Sequence, residues 1–328
     1  MTRYVVLRLL QGIFVVWAAF TVCFVILYLL PSDPAEIIAN RGTEQGGQPD
    51  PEQVALLRAE LGLDRPLILQ YLSMLGGFLT GGWGRSFHTG HGVFDLIAGA
   101  FPGTAAIAAL ALLLGGLAGL ALAVAAAYTR SARLRSLLET LPSVGASLPT
   151  FWVALILMDL LAFRLRLVPP LGSEGPATMV LPTLALAVPV TAAVGQVLTQ
   201  GLLATMAEPY VGVAVAKGVG RLRLLFVHVM RASALPALTI LGVLIGQLLA
   251  GAVVVETVFA RQGFGRLINE AVGSQDIPLV LGLVVFSAVV FVVVTLVVDI
   301  LYTVVDPRLR GRASRSPRRS LVPTGGAS

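Results

Sequence analysis

Charge is scarce in this sequence. Only 12% of its 328 residues are Asp, Glu, Lys or Arg, against about a quarter in soluble domains, while 56% are apolar. With a mean hydropathy of +0.88, this composition excludes an ordinary soluble globular protein and implies a polytopic membrane protein. Lysine occurs once, at Lys217, and no G-x-x-x-x-G-K-[ST] run is present, so the usual nucleotide phosphate cradle cannot be built from this chain. Cysteine also occurs once, at Cys23, which excludes an intrachain disulfide. Of the three histidines, His88 and His91 have H-x-x-H spacing without a third ligand or a Glu base, and His228 has no nucleophile or metal partner nearby in sequence. Ser147 stands in GAS rather than G-x-S-x-G. No catalytic residue and no metal ligand is therefore named, and the chain is expected not to be an enzyme.

What is present is long apolar runs. Six windows, at about 9–30, 102–128, 141–163, 179–203, 234–258 and 278–303, reach the roughly 20 residues needed to cross a bilayer. The first extends from Leu9 to Leu30 with no small-x-small cleavage site before Pro31, so it reads as a retained span rather than a signal peptide. The basic residues orient the set. Arg3, Arg8, Arg130, Arg133, Arg135, Lys217, Arg221, Arg223, Arg231 and six tail arginines from Arg308 to Arg319 fall on the side of the N-terminus, and eight arginines fall on the other. Positive residues concentrate in cytoplasmic segments, so both termini are predicted to be cytoplasmic. The net charge of +6 consists of arginines scattered at membrane edges, where anionic lipid attracts them, and no nucleic-acid partner is expected.

Four regions follow: residues 1–30 with the first transmembrane helix; 31–101, an extracytoplasmic loop with short helices; 102–305, a five-helix transmembrane core; and 306–328, a basic Ser/Arg/Pro/Gly tail expected to be disordered. In the loop, Val54, Leu57 and Leu61 recur at helical spacing in a segment ending near Gly62, a second helix is predicted from about Leu67 to Leu79, and GGWGRSF reads as a turn. Both helices are expected to pack on the outer mouth of the membrane core. Gly115, Gly116 and Gly119 would allow a close helix approach, and Pro142, Pro149 and Pro189 would bend or break helices.

The stretch Tyr210–Pro236, YVGVAVAKGVGRLRLLFVHVMRASALP, is a basic amphipathic interruption between two apolar runs. Val211, Val213, Val215 and Leu224 supply apolar contacts there, while Ala214, Ala216 and Gly218 permit close approach. Three acids lie within the spans: Asp159, Glu256 and Asp299. Each costs about 2.5 to 3.5 kcal/mol mid-membrane on insertion scales and must face protein or water. They carry the alternative reading, an ion-gradient-driven secondary transporter. Asp159 lies within reach of Arg164 and Arg166, and Asp299 within reach of headgroups or Arg308.

LLPSDPAE, LRAELGLDRPLILQYLSML, GGWGRSF, LPTFW, MVLPTLAL, YVGVAVAKG with His228, Arg231 and Leu235–Pro236, GAVVVETVFARQGFGRL and DILYTVVDPRLR follow one another along nearly the whole chain. In that order they resemble the permeases of the oligopeptide/dipeptide/nickel class of ABC importers, inner-membrane components of binding-protein-dependent transport systems. The chain departs from the class pattern at Glu208, Gly212, Val215 and Ala232. The resemblance implies an all-α, six-span, type I ABC-importer permease in the bacterial cell (inner) membrane. It implies a translocation path for peptides or a related solute, with nickel, opines, glutathione and oligosaccharides also carried by the class. The implied partners are a second homologous permease, two cytoplasmic ABC ATPases holding ATP and Mg, an extracytoplasmic substrate-binding protein and membrane lipid. It further implies a coupling helix at about 208–228, using Tyr210, Val211, Ala214, Ala216, Lys217, Gly218 and His228, and a path or gate at Glu256, Phe259, Gly263 and Gly265.

Overall fold

The computed structural model describes residues 2–29, 35–36, 39, 50–60 and 62–305, all helical or looped apart from one isolated antiparallel bridge, Arg85 to Gly92. The basic tail expected at 306–328 and the side chain of His228 lie outside the described residues.

Helix α1 (Thr2–Leu29) is followed by α2 (Pro51–Glu60) and α3 (Leu67–Thr80). Asp50 caps α2, its carboxylate accepting from the Glu52 amide at 3.0 Å, and Gly62 follows that helix at φ 66°. α3 stops at Gly81, whose φ of 85° a residue with a Cβ adopts only under strain. The two loop helices thus end where glycine predicts. α3 lies against α1 and the start of the last described helix, with Tyr71, Met74, Leu75 and Phe78 packed in one cluster with Phe20, Phe24, Ile277 and Leu281. The reason is aromatic complementarity, since α1 presents Phe20, Phe24 and Tyr28 on the face that meets Tyr71 and Phe78.

The core is α4 (Val93–Tyr128), α5 (Ala132–Ser147), α6 (Thr150–Leu157, widening into a π-helical turn over Met158–Arg164), α7 (Val180–Met206), α9 (Met230–Val258) and α11 (Ile277–Val305). Between α7 and α9 lies α8 (Pro209–Ala216), and between α9 and α11 lies α10 (Phe264–Gly273). Val6–Leu29, Val93–Tyr128, Pro176–Met206 and Ile277–Ile300 are long and apolar enough to cross a membrane, matching four of the six predicted windows. The fifth window ends with α9 at Val258.

The third window departs from the prediction of one span over 141–163. Ala132–Ser147 and Thr150–Arg164 meet at 100°. Pro149 supplies no N–H to continue the hydrogen-bond ladder, and Leu148 before it is extended at φ −82°, ψ 123°, as a residue preceding proline must be. Pro142 and Pro189 do not break their helices and lie inside α5 and α7.

α4 and α7 form the centre of the core, and glycine sets their separation. A Cβ on Gly115 would fall 2.7 Å from the Ala187 carbonyl oxygen, and one on Gly119 would fall 2.8 Å from the Gly195 amide nitrogen. Gly116 faces open space, so two of the three predicted glycines make the approach. Ile107, Ala111, Leu181, Leu186, Val190 and Leu244 fill the buried centre around this crossing. Pro142 of α5 also closes on Gly195, within 3.3 Å of where its Cβ would stand.

Candidate functional site: a short surface helix and a buried carboxylate knot

The segment 208–228 is two helical pieces. Glu208 is extended before α8, and Pro209 begins the helix at the position that has no amide bond to lose. At the other end the Gly218 amide donates to Val215 O at 2.9 Å and the Val219 amide to Ala214 O at 3.2 Å, with Gly218 at φ 81°. This left-handed cap ends the helix, and a new one starts after Gly220 at Arg221–Arg223, widening through Leu224–Val229 into α9. Arg221 stacks its guanidinium 4.7 Å over the ring of Tyr128, tying the restart to the end of α4.

α8 divides the residues that the sequence had grouped. Val211 is buried and Ala214, three residues on, packs beside it on the core that includes Leu224 and Leu225. Tyr210, Val213, Val215, Ala216, Lys217 and Gly218 are exposed. Val213 and Val215 therefore present apolar surface outward, while Val211 and Leu224 are buried within the chain. Gly212 faces open space as well, so this stretch is smooth and nearly uncharged.

The end of α9 is arranged in the opposite way. Glu256 is fully buried, and its carboxylate accepts the Thr104 hydroxyl of α4, the Gly265 amide at 2.8 Å and the Arg266 amide at 3.1 Å. Thr104 Oγ1 accepts in turn from the Phe264 amide at 2.8 Å. A single carboxylate thus satisfies the first amides of α10 and ties three elements together. The glycines make room for it. A Cβ on Gly263 would collide with the Glu256 carboxylate, and one on Gly265 would fall 2.5 Å from the Val253 amide nitrogen. Phe259 is buried and its carbonyl accepts the Gly172 amide at 3.1 Å. The four residues read as path or gate are therefore gathered into one packed knot.

Several participants carried no signal that was read from the sequence. Thr104 stands 152 positions from Glu256. Arg261, 5% exposed, donates to Thr178 Oγ1 at 3.1 Å, and the Gln262 amide donates to Ser173 Oγ at 2.6 Å. Asp276 is buried and accepts the Ser86 hydroxyl at 2.5 Å, the Phe87 amide at 3.1 Å, the His88 amide at 3.2 Å and the Leu279 amide at 3.3 Å. It fastens the 86–91 loop to the start of α11. An Asp directly before an apolar helical run is an N-cap signal, and that would have marked it.

The other two membrane acids are paired. Asp159 holds Arg164 at 2.7 Å, one of the two arginines predicted. Asp299 binds Arg8 of α1, Nε to Oδ2 at 2.9 Å and Nη2 to Oδ1 at 3.1 Å, where α1 packs against α11 with Gly12 set closely on Val292. Arg308 lies outside the described residues. Among the described residues no three His, Cys, Asp or Glu side chains cluster to hold a metal ion, His88 and His91 included.

Lipid-length helices around a glycine-spaced centre define a multi-pass membrane protein with an all-helical fold. Residues 115–311 match the family model of the binding-protein-dependent transport system inner membrane component, and residues 1–108 match the N-terminal model of the same systems. The chain belongs to this family and is a multi-pass protein of the bacterial inner membrane. It is 32% identical over 316 residues to a probable peptide ABC transporter permease of Sinorhizobium fredii, covering 94% of this chain and 99% of the other. It is 32% identical over 310 residues to the glutathione transport system permease of Salmonella typhimurium, at the same coverages. The dipeptide transport system permease of Bacillus subtilis is 30% identical over 311 residues, covering 94% and 98%. In fold it is similar to the inward-facing MetNI methionine ABC transporter, with a TM-score of 0.56 at 12% identity over 64% of this chain and 96% of that one.

Proposed function

We propose that the chain is the permease subunit of an ATP-driven importer and forms the path for peptides or a related small solute delivered by a binding protein. Near full-length similarity to peptide, dipeptide and glutathione permeases supports the substrate class. In this reading the protein is a type I permease with six spans and both termini in the cytoplasm; the bent pair α5–α6 is one span and α9 another. It works beside a second, homologous permease, with two cytoplasmic ATPases that bind ATP and Mg and an extracytoplasmic substrate-binding protein. The chain itself is not an enzyme.

One observation carries the mechanism. α8 is a short helix anchored by Val211 and Ala214, with Tyr210, Val213, Val215, Ala216 and Lys217 turned outward between two spans. An exposed apolar helix face suits a groove on another subunit. Through Val211, Leu224 and Leu225 a push on α8 reaches α7 and α9, and through Arg221 on Tyr128 it reaches α4. ATP binding by the partner ATPases moves α8, the spans rearrange from inward- to outward-facing, and hydrolysis resets them. Glu256, Phe259, Gly263 and Gly265 close the outer side as a gate whose parts move together, and His228 belongs to the helical restart that follows α8.

The test is Gly218→Asp. Aspartate tolerates a positive φ better than most residues, and open space surrounds Gly218, so membrane insertion and folding are expected to persist. The new carboxylate on the docking face is expected to abolish ATP-dependent uptake of a labelled dipeptide in cells. Normal uptake by that variant would remove the coupling assignment.

A further inference from the structure

α3 has an unusual composition for a segment expected in an extracytoplasmic aqueous loop. LILQYLSMLGGFLT contains no charged residue, and it is apolar on both faces. One face packs on α1. The other leaves Leu67, Ile68, Leu69, Leu72 and Leu79 more than half exposed, Leu79 at 82%.

Its position relative to α1 is fixed by paired contacts. Tyr28 donates to Gln70, Phe24 meets Tyr71 with ring centroids 5.3 Å apart, Thr21 shares a 2.9 Å hydrogen bond with Tyr71, and Phe20 meets Phe78 at 5.5 Å. As α3 advances from Gln70 to Phe78, its contacts in α1 shift from Tyr28 toward Phe20, whose ring also meets Tyr71 at 5.5 Å. The helices are antiparallel over eight residues, or about 12 Å at 1.5 Å per residue. Phe20 lies nine residues inside the end of the span Val6–Leu29, about 13 Å from that end. α3 therefore runs beside the half of α1 that lies in the bilayer. At 14 residues, about 21 Å, it is too short to cross some 30 Å of hydrocarbon.

The polar side chains of α3 are all hydrogen-bonded within the protein. Gln70 is buried, donating to Leu63 O at 3.1 Å and Arg65 O at 2.7 Å while accepting from Tyr28. Ser73 and Thr80 face outward, yet their hydroxyls donate back to Gln70 O at 2.9 Å and Gly76 O at 3.0 Å. Like these leucines, Val22, Val25, Ile26 and Leu29 of α1 are exposed apolar residues. The chain then turns at Gly81 and returns to Asp276 through Ser86.

We infer that α3 is a half-span: a re-entrant helix that enters the membrane leaflet opposite the N-terminus of α1, takes lipid acyl chains on its Leu67–Leu79 face and leaves by the Gly81–Arg85 turn. This rests on the membrane placement of α1 and not on the transport reading.

Nitroxide accessibility tests it directly. In a Cys23→Ser background that retains uptake, single cysteines replace Ile68, Leu72 and Leu79, with Val25 of α1 as lipid reference and Gln53 of α2 as water reference. The full transporter is reconstituted in phosphatidylethanolamine and phosphatidylglycerol vesicles. At Leu72 and Leu79 the inference expects oxygen collisions as frequent as at Val25 and collisions with a water-soluble nickel chelate several-fold rarer than at Gln53. Nickel collisions equal to those at Gln53 place α3 in water and overturn it. Low collision with both reagents means that another protein covers the face and overturns it equally. Three labelled positions keep the result decisive if one variant does not fold.

Discussion

The two ends that border α9 treat their backbone and side chains in opposite ways. At its C-terminal end Glu256 is buried, fully engaged and enclosed by Gly263, Gly265 and Thr104, so any change must be accommodated by several elements together. Before its other end α8 rests on Val211 and Ala214, and its remaining side chains touch little. The first region keeps its polar groups dry and satisfied, which fixes one geometry. The second exposes apolar groups that the protein does not itself cover, which suits a surface completed by another subunit. Rigidity and reception are separated along one helix.

Glu256→Ala is expected to break the contrast most severely. It leaves two amides and a hydroxyl buried without an acceptor, a loss of roughly 3 to 5 kcal/mol, to be read as a lower unfolding midpoint in detergent. Glu256→Gln keeps an acceptor and should cost less, about 1 to 2 kcal/mol. Equal losses in the two variants would show that the carboxylate's hydrogen bonds do not hold the knot. Asp276→Ala comes next, at about 2 to 3 kcal/mol, with protease cleavage appearing in the 86–91 loop before the rest of the chain unfolds. Val213→Ser with Val215→Ser sharpens the other side: stability should stay within about 0.5 kcal/mol, while uptake falls several-fold. A stability loss like that of Asp276→Ala would mean that this face is part of the fold. Asp159→Asn should be the mildest, below about 1 kcal/mol, because its pair with Arg164 is exposed; a large loss on thermal unfolding would reveal a role beyond that pair.

The sequence disclosed what depends on local pattern. Apolar run length located four long spans, glycine marked the ends of α2 and α3, and Pro149 marked a break. It did not disclose that the break turns the chain through 100°, since proline interrupts a helix without choosing the new direction. It pointed to Glu256 but not to what holds it, because Thr104 is 152 positions away and neither residue has a distinctive neighbourhood. Asp276 had a readable local role as a helix cap and an unreadable distant one, 190 positions away at Ser86. In the short basic segment, periodicity alone could assign Val211 and Ala214 to one face, but not say which face the body takes.

The pair between Arg8 and Asp299 joins residues 291 positions apart. At the roughly 5 to 20 residues per second of synthesis, about 15 to 60 seconds separate the appearance of the arginine from that of its aspartate. Throughout that interval α1 rests in the bilayer without α11, its guanidinium able to reach the headgroups only along its own flexible stem. The ribosome therefore delivers the first span long before it delivers the aspartate that pairs with it, and this contact forms only once the last span has been made.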